Sequence, residues 1–179
     1  MTSGTGGEGD PDSGATNSLD LLLAEDDDLN QKYFETLLLS AGHGVTIVSN
    51  GKDAVEAVRE RAFDAVLMDI HMPVMNGNAA TRAIRELSGD RAKIPVIALS
   101  GGVTGEGDEE YEAAGFTSYL AKPVENADLA RVLSEVTGRS VYIPDYSINS
   151  SDVAPPSESA GKAVEAFLDD TKSPKTGPR

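Results

Sequence analysis

The sequence predicts an α/β fold in which five parallel strands form a doubly wound sheet covered on both faces by five helices. Three observations point to this class. Five short apolar runs recur along the chain, a helix signal follows each run, and each run stops abruptly at a polar residue. Such alternation implies parallel strands joined by right-handed crossovers. In the strand order 2-1-3-4-5, ligands bind beyond the carboxyl ends of the strands, where the order reverses.

Composition narrows the range of functions. The 179 residues suffice for one domain with a core and tails, and the formal net charge of −15 disfavours a nucleic-acid surface. Because the chain has no cysteine, disulfides, thiol nucleophiles and thiolate metal sites are excluded. No apolar run approaches the ~20 residues of a membrane span, and the N-terminus lacks a signal-peptide pattern. We therefore expect a soluble, cytoplasmic protein.

The first two strands are expected at residues 21–24 and 45–48. The helix between them should be capped by Asp27 or Asp28 and end at Gly42 and Gly44. The helix after the second strand should be capped by Ser49 or Asn50. The spacing of apolar residues predicts the buried stripes of the two helices, which comprise Leu29, Tyr33, Phe34, Leu37 and Leu38 in the first and Ala54, Val55 and Val58 in the second.

The third strand is expected at residues 65–68, with Asp69 as the first residue past its carboxyl end and Pro73 closing the loop. Asn76 and Gly77 open the next helix, and Gly89 ends it. The apolar residues of this helix that should face the core are Ala80, Ile84 and Leu87.

The fourth strand is expected at residues 95–99 and ends at Ser100. Each glycine inside a helix destabilises it by about 0.5–1 kcal/mol relative to alanine. The glycine-rich stretch 101–107 therefore predicts a mobile loop, with a short helix starting near Asp108. The fifth strand, residues 118–121, leads into Lys122, and a last helix begins near Asn126. That helix should bury Leu129, Val132, Leu133 and Val136.

The composition sets the expected domain bounds. Residues 19–137 form the domain, residues 1–18 a disordered tail and residues 138–179 a flexible low-complexity tail. An apolar cluster in the second tail, Val164, Phe167 and Leu168, has helical spacing. A transient helix that binds a partner and a merely solvated segment both fit this cluster.

The strand ends carry the residues that point to chemistry: Glu25, Asp26, Asp69, Ser100 and Lys122. Crowded carboxylates repel, and a hard divalent cation relieves that repulsion, so Mg²⁺, or Mn²⁺, fits this set better than zinc. A carboxylate beside Mg²⁺ can attack a phosphoryl group and form an aspartyl phosphate. The lysine then supplies a cation and the serine a hydroxyl donor for the phosphate oxygens.

Each of these residues also has a purely structural interpretation. Asp69 and Ser100 would then be turn residues, the two acids at the start of the first helix would favour its positive end, and Lys122 would be a surface lysine. Tyr119 would pack at the rim of the core. The side chains of His71 and His43 are not expected to be metal ligands, and His43 should be an exposed turn residue.

Four sequence blocks in a fixed order carry a resemblance to a known family. They are LLAED at 22–26, VLMDIHMPVMNG at 66–77, PVIALS at 95–100 and YLAKP at 119–123. From about Leu21 to Val136 the chain resembles a response-regulator receiver domain of two-component signalling, in particular the receivers attached to hybrid histidine kinases. The resemblance implies a flavodoxin-like sheet in which Asp69 accepts phosphate from a phosphohistidine on a histidine kinase or a histidine phosphotransfer domain.

The resemblance also implies roles for individual residues. Asp26, Asp69 and the backbone carbonyl of His71 would hold Mg²⁺, with Glu25 assisting through water. Lys122 would contact the phosphoryl group, and its bond to Pro123 would be cis.

The resemblance further implies a switch. Ser100 would close on the phosphate while Tyr119 turns inward. The side chain of His71 and the residue two past Ser100, here Gly102, would tune the phosphate lifetime. The fourth helix, fifth strand and fifth helix would form the output face, and transient self-association is compatible with it.

Two departures from the family pattern stand out: the excess of glycine after Ser100, and serine at a position where threonine is commoner. The expected role is a signalling phosphoacceptor rather than an enzyme. A Mg²⁺-dependent hydrolase of the haloacid-dehalogenase type would carry a second Asp two residues after the nucleophile, where this chain has His71. A phosphorylation-independent interaction module is the remaining alternative.

Overall fold

The computed structural model describes residues 18–101 and 108–144. Their five strands form one sheet of order β2-β1-β3-β4-β5 in which every neighbouring pair is parallel, as predicted. The elements in chain order are β1 Asp20–Ala24, α1 Asp28–Ser40, β2 Gly44–Val48, α2 Gly51–Glu60, β3 Ala65–Asp69, α3 Gly77–Arg85, a 3₁₀ helix Gly89–Lys93, β4 Val96–Ser100, α4 Asp108–Ala114, β5 Ser118–Ala121 and α5 Asn126–Thr137.

The sheet separates two apolar clusters, because successive side chains of a strand point to opposite faces. In β1, Leu21 and Leu23 pack with α1 and α5, whereas Leu22 and Ala24 pack with α2 and α3. Strands β1, β3 and β4 are buried on both faces, which explains why their sequences are continuous apolar runs rather than alternating ones.

Side-chain caps fix the starts of three helices. Asp27, Asn50 and Asn76 each accept a hydrogen bond from the backbone N–H three residues later, which satisfies one of the free amides of the first turn. Asn50, rather than Ser49, is therefore the cap of α2. Helix α5 differs, because its N-cap residue Glu125 makes no capping hydrogen bond with its side chain.

The prediction for the buried face of α1 was partly wrong. Phe34, Leu37 and Leu38 are buried, but Leu29 is 81% exposed and Tyr33 is 47% exposed. At 100° per residue, Leu29 lies roughly 130° around the helix from the centre of the three buried side chains. The apolar arc of α1 is therefore wider than the strip that the sheet covers.

The predicted end of α3 at Gly89 was also wrong. The helix ends at Arg85, and Gly89, with φ +72°, opens the 3₁₀ helix instead. The guanidinium of Arg85 donates to the carbonyls of Ala92 and Ile94 at 3.0 and 2.8 Å, so it holds the returning chain against the helix end. Leu87 lies past the helix and packs partly buried against the core.

His43 is a correction to the expectation of an exposed turn residue. Its side chain is only 5% exposed, and Nδ1 accepts a hydrogen bond of 3.2 Å from the Leu19 backbone N–H. The cause is the pairing of β2 with β1, in which the Gly44 N–H donates to the Leu19 carbonyl at 2.8 Å. Burial lowers the pKa of His43.

The chain beyond α5 stays packed over its next residues, although a flexible tail was predicted from position 138. Val141 and Ile143 are 9% and 5% exposed and belong to the cluster beneath α1 and α5. We call residues 139–144 the C-terminal strap. Only alternate residues of this part of the strap are buried, namely Val141 and Ile143, with exposed Tyr142 between them. The composition of the segment therefore did not reveal that it packs on the domain.

Several predictions lie outside the described residues: the two outer tails with the Val164 cluster, and the glycine-rich loop from Gly102 onwards. The short helix predicted near Asp108 is confirmed as α4. Within the described ranges, no helix has the length and apolar character needed to cross a membrane.

Candidate functional site

The carboxyl edge of the sheet brings three acidic side chains together. Glu25 and Asp26 follow β1, and Asp69 is the last residue of the neighbouring strand β3 rather than the first residue past it. One carboxylate oxygen from each lies within 4.8 Å of the others. Glu25 and Asp69 are 1% and 6% exposed, whereas Asp26 is exposed. The pocket therefore has two buried acids and one acid open to solvent.

Lys122 joins the two buried acids. Its ammonium Nζ lies 2.6 Å from Glu25 Oε2 and 2.8 Å from Asp69 Oδ2. Burial lowers the pKa of Lys122, but the hydrogen bonds and charges of Asp69 and Glu25 outweigh that effect, so its pKa is raised overall. The lysine thus stays protonated and partly neutralises the carboxylates. Because the ammonium is compact and has three donors, it can also leave a carboxylate and bind a new anionic partner.

The backbone around Asp69 explains why this carboxylate is held at the rim. The His71 N–H donates to Asp69 Oδ1 at 3.2 Å, and the Gly77 N–H donates to the Ile70 carbonyl at 2.9 Å. A Cβ on Gly77 would overlap the backbone oxygen of Asp69, so only glycine allows α3 to start so close to β3. The loop and α3 are therefore packed directly against the end of β3.

Two residues that sequence reasoning missed support Glu25. Asn30 donates from Nδ2 to Glu25 Oε1 at 3.1 Å, and Gln31 donates from Nε2 to the Glu25 backbone oxygen at 2.6 Å. Gln31 also reaches the Ser49 hydroxyl at 3.1 Å. The signal in the sequence was a pair of amide side chains one turn after an acidic pair. Together they fix the orientation of the innermost acid.

Ser100 and Tyr119 occupy different places. Ser100 is 3% exposed at the end of β4, and its backbone oxygen accepts the Lys122 N–H at 2.7 Å, so the serine and the lysine lie side by side at the ends of the paired strands β4 and β5. Tyr119 is 40% exposed and lines an open groove of about 320 Å³ with Tyr111 and Phe116. The structure does not bring Tyr119 to the carboxylates.

The His71 side chain is exposed. The Lys122–Pro123 peptide is cis, as the resemblance implied.

The donor set fits a small divalent cation. Three carboxylates supply the hard oxygen ligands that Mg²⁺ prefers, and the described residues bring no nitrogen or sulfur ligand into this cluster. The open side at Asp26 leaves room for water and for phosphate oxygens, which Mg²⁺ usually keeps as ligands.

Comparison with known proteins decides the family. The family model described as the response regulator receiver domain matches residues 21–134, which include every strand-end residue discussed above. The chain belongs to this family.

Relatives of this receiver are larger signalling proteins. The sensor protein GacS of Pseudomonas syringae is 36% identical over 126 residues, which are 69% of this chain and 14% of that protein. A probable histidine kinase 1 of rice is 30% identical over 153 residues, 69% of this chain and 16% of the kinase. The match thus spans only 14–16% of the length of these relatives.

Solved structures show the same fold. The receiver domain of the sensor histidine kinase PA1611 of Pseudomonas aeruginosa is 38% identical, with a TM-score of 0.63 over 68% of this chain and 98% of that one. That structure holds a magnesium ion in its active-site cleft. The chemotaxis protein CheY4 of Vibrio cholerae is 27% identical, with a TM-score of 0.61 over 66% of this chain and 98% of CheY4. Both structures therefore share the receiver fold with this chain, and the acidic cluster of this chain fits the kind of ion that the PA1611 domain holds.

Proposed function

We propose that this receiver accepts a phosphoryl group from a phosphohistidine of a histidine kinase or histidine phosphotransfer domain onto Asp69, as one step of a two-component phosphorelay. The observation that carries the proposal is the Lys122 ammonium, which bridges Asp69 and Glu25 beside the exposed Asp26. A phosphoryl group on Asp69 would replace the carboxylate as the partner of Lys122. A contact that can be exchanged in this way suits phosphoryl transfer better than a purely structural role.

In the transfer, one carboxylate oxygen of Asp69 forms a bond to phosphorus while the bond from phosphorus to the histidine nitrogen breaks. The nitrogen keeps the electron pair, so Asp69 needs no general base. Lys122 then exchanges its contact with the Asp69 carboxylate for a phosphoryl oxygen, and the His71 N–H holds the aspartate in place.

A divalent cation fits the same pocket. Asp26 and Asp69, with the backbone carbonyl of His71, would hold Mg²⁺ or Mn²⁺, and Glu25 would assist through water. Bound there, the ion would neutralise charge that develops on the phosphoryl oxygens.

A switch would accompany the transfer. Ser100 ends β4, the strand that pairs with β3, and its hydroxyl would donate to a phosphoryl oxygen on Asp69. Tyr119, now in the groove beside Tyr111, would turn inward as Ser100 moves. Phosphorylation would thereby shift an equilibrium of the β4–α4 and β5 surface that already exists in the free protein.

The role is that of a signalling phosphoacceptor in the cytoplasm rather than a turnover enzyme. A hydrolase that uses an aspartyl phosphate needs a second acid to protonate its leaving group, and the residue two positions after Asp69 is His71, whose side chain faces solvent. The reaction of this chain would therefore be confined to its own phosphorylation and dephosphorylation.

The test uses acetyl phosphate and Mg²⁺ as the donor mixture and the intact mass of the full chain as the readout. We expect a gain of about 80 Da, the mass of one phosphoryl group on a carboxylate. Asp69→Asn should abolish the gain, whereas Asp28→Asn, a change at an exposed acid outside the cluster, should not. No gain with any phosphodonor, or the same gain in Asp69→Asn, contradicts the proposal. Catalytic turnover of a generic phosphate ester would instead favour a hydrolase.

A further inference from the structure

The start of α5 is held in an unusual way. Helices α1, α2 and α3 are each capped by a side chain of the preceding residue, but the Glu125 side chain does not cap α5. This start matters because Lys122 lies only four residues before Asn126, the first residue of α5. The position of the lysine depends on β5 on one side and on the anchoring of α5 on the other.

Asn126 supplies that anchor through both ends of its amide. Its Oδ1 accepts a hydrogen bond of 3.0 Å from the Tyr33 hydroxyl on α1, and its Nδ2 donates at 2.9 Å to the Pro144 carbonyl. We call these three residues the Asn126 clasp. The clasp ties the first turn of α5 to α1 and to the end of the C-terminal strap.

The strap is fixed along its length, so the Pro144 carbonyl is a firm attachment point. Val141 and Ile143 are buried in the cluster that also contains Val124, two residues past the lysine. The Val141 N–H donates to the Ser134 hydroxyl at 3.0 Å, and Arg139 forms an ion pair of 3.0 Å with Asp64. The family match ends at residue 134, so the strap lies outside the matched residues.

We propose that Asn126 is a positioning residue for phosphoryl transfer, and that the C-terminal strap acts through it to hold Lys122 over Asp69. The proposal rests on the phosphoacceptor role of Asp69 proposed above. Release of the strap would free one end of the Asn126 amide, loosen the uncapped start of α5 and widen the distribution of Lys122 positions. Because transfer depends on alignment within fractions of an ångström, the rate would fall while the fold remains intact.

The experiment measures the phosphorylation rate of the full-length chain with acetyl phosphate and saturating Mg²⁺, at a temperature where circular dichroism shows every variant folded. Asn126→Ala should lower the rate about tenfold, and Tyr33→Phe, which removes only a hydroxyl, about threefold. Ile143→Ser should act like Asn126→Ala. Tyr142→Ser, a change at the exposed neighbouring position of the strap, is the matched control and should leave the rate within about twofold.

A double variant separates the proposed coupling from general weakening. If the strap and the Asn126 amide act through one contact, the double variant Asn126→Ala/Ile143→Ser should be phosphorylated no more slowly than the slower single variant. If their effects are independent, the two reductions in rate would multiply. Unchanged rates in Asn126→Ala and Tyr33→Phe, with a lowered melting temperature alone, would make the clasp purely structural and overturn the proposal. Failure of the unmodified chain to be phosphorylated would refute the phosphoacceptor role itself, so the two failures are distinguishable.

Discussion

Two partly buried cations at opposite edges of the sheet show how this chain separates function from structure. Lys122 faces two carboxylates at the carboxyl edge, whereas the guanidinium of Arg85 donates to the carbonyls of Gly115, Ala92 and Ile94 at the other edge. The pKa of Lys122 is raised by its acidic partners, and that of Arg85 is lowered by burial. A carboxylate can accept a metal ion or a phosphoryl group in place of the lysine, whereas the three carbonyls that bind Arg85 lie outside the acidic cluster and cannot be phosphorylated. The first cation is therefore exchangeable and the second is fixed.

The largest effect is expected from Lys122→Met. Loss of the ammonium should slow phosphorylation by acetyl phosphate about 100-fold, the size expected for one preorganised charged donor. It also leaves Glu25 and Asp69 buried without their cation, which should reduce the free energy of unfolding by about 3 kcal/mol. Mg²⁺ should stabilise the variant more than the unmodified chain. A phosphorylation rate within threefold of the original would show that the lysine is not part of the transfer.

Arg85→Met should give the opposite pattern. The loss of charged hydrogen bonds to three part-buried carbonyls should reduce the free energy of unfolding by about 2–3 kcal/mol. The phosphorylation rate of the folded protein should stay within about threefold, because nothing at the carboxyl edge changes. Urea denaturation measures the free energy of unfolding. The control is Arg82→Met, a change at an exposed position of the same helix. A large loss of rate with unchanged stability would break the comparison.

Asp26→Asn tests the exposed acid of the pocket. The Mg²⁺ concentration that gives half-maximal phosphorylation should rise at least tenfold, since losing even an outer-sphere partner costs about 10–100-fold in metal affinity. The stability of the metal-free protein should not fall, because the change relieves repulsion among the three carboxylates. Asp28→Asn should leave the Mg²⁺ dependence unchanged. An unaltered dependence in Asp26→Asn would exclude this residue as a ligand.

The smallest effect concerns His43, a titratable group far from the site. Its pKa is lowered by burial, so the unfolded chain binds a proton more readily, and stability present above pH ~6.5 is lost as the pH falls through that value. Protonation would also place a hydrogen on Nδ1, which faces the Leu19 N–H. Urea unfolding at pH 7.5 and 5.5 should show a smaller loss of stability in His43→Gln than in the unmodified chain. Equal losses would contradict this role for His43.

The sequence predicted the parts of the molecule that rest on strong local signals. The apolar runs predicted β3 and β4 to within one residue, and the polar residues after the runs predicted that Asp69 and Lys122 meet. The capping residues predicted the start of α3 at Asn76 and narrowed the cap of α1 to Asp27 or Asp28, of which Asp27 is the cap. Each signal is read from one short segment, and because parallel strands end at a common edge, the polar residues after separate runs meet there.

What the sequence did not predict depends on how elements pack. Helical periodicity gives the direction of an apolar face but not the width that the sheet covers, and so Leu29 and Tyr33 were misplaced. His43 is buried by the pairing of β1 with β2. The strap contains two buried apolar residues, Val141 and Ile143, in an otherwise polar segment. Two such residues form too short a pattern to indicate packing.

The most direct test of the central claim is to locate the phosphorylated residue chemically. After phosphorylation with acetyl phosphate and Mg²⁺, borohydride reduces an acyl phosphate to an alcohol, which peptide mass spectrometry assigns to one position. We expect reduction at position 69 alone, dependent on Mg²⁺ and much weaker in Lys122→Met. Reduction at position 25 or 26, or none at position 69 in a chain that has gained the phosphoryl mass, would contradict it.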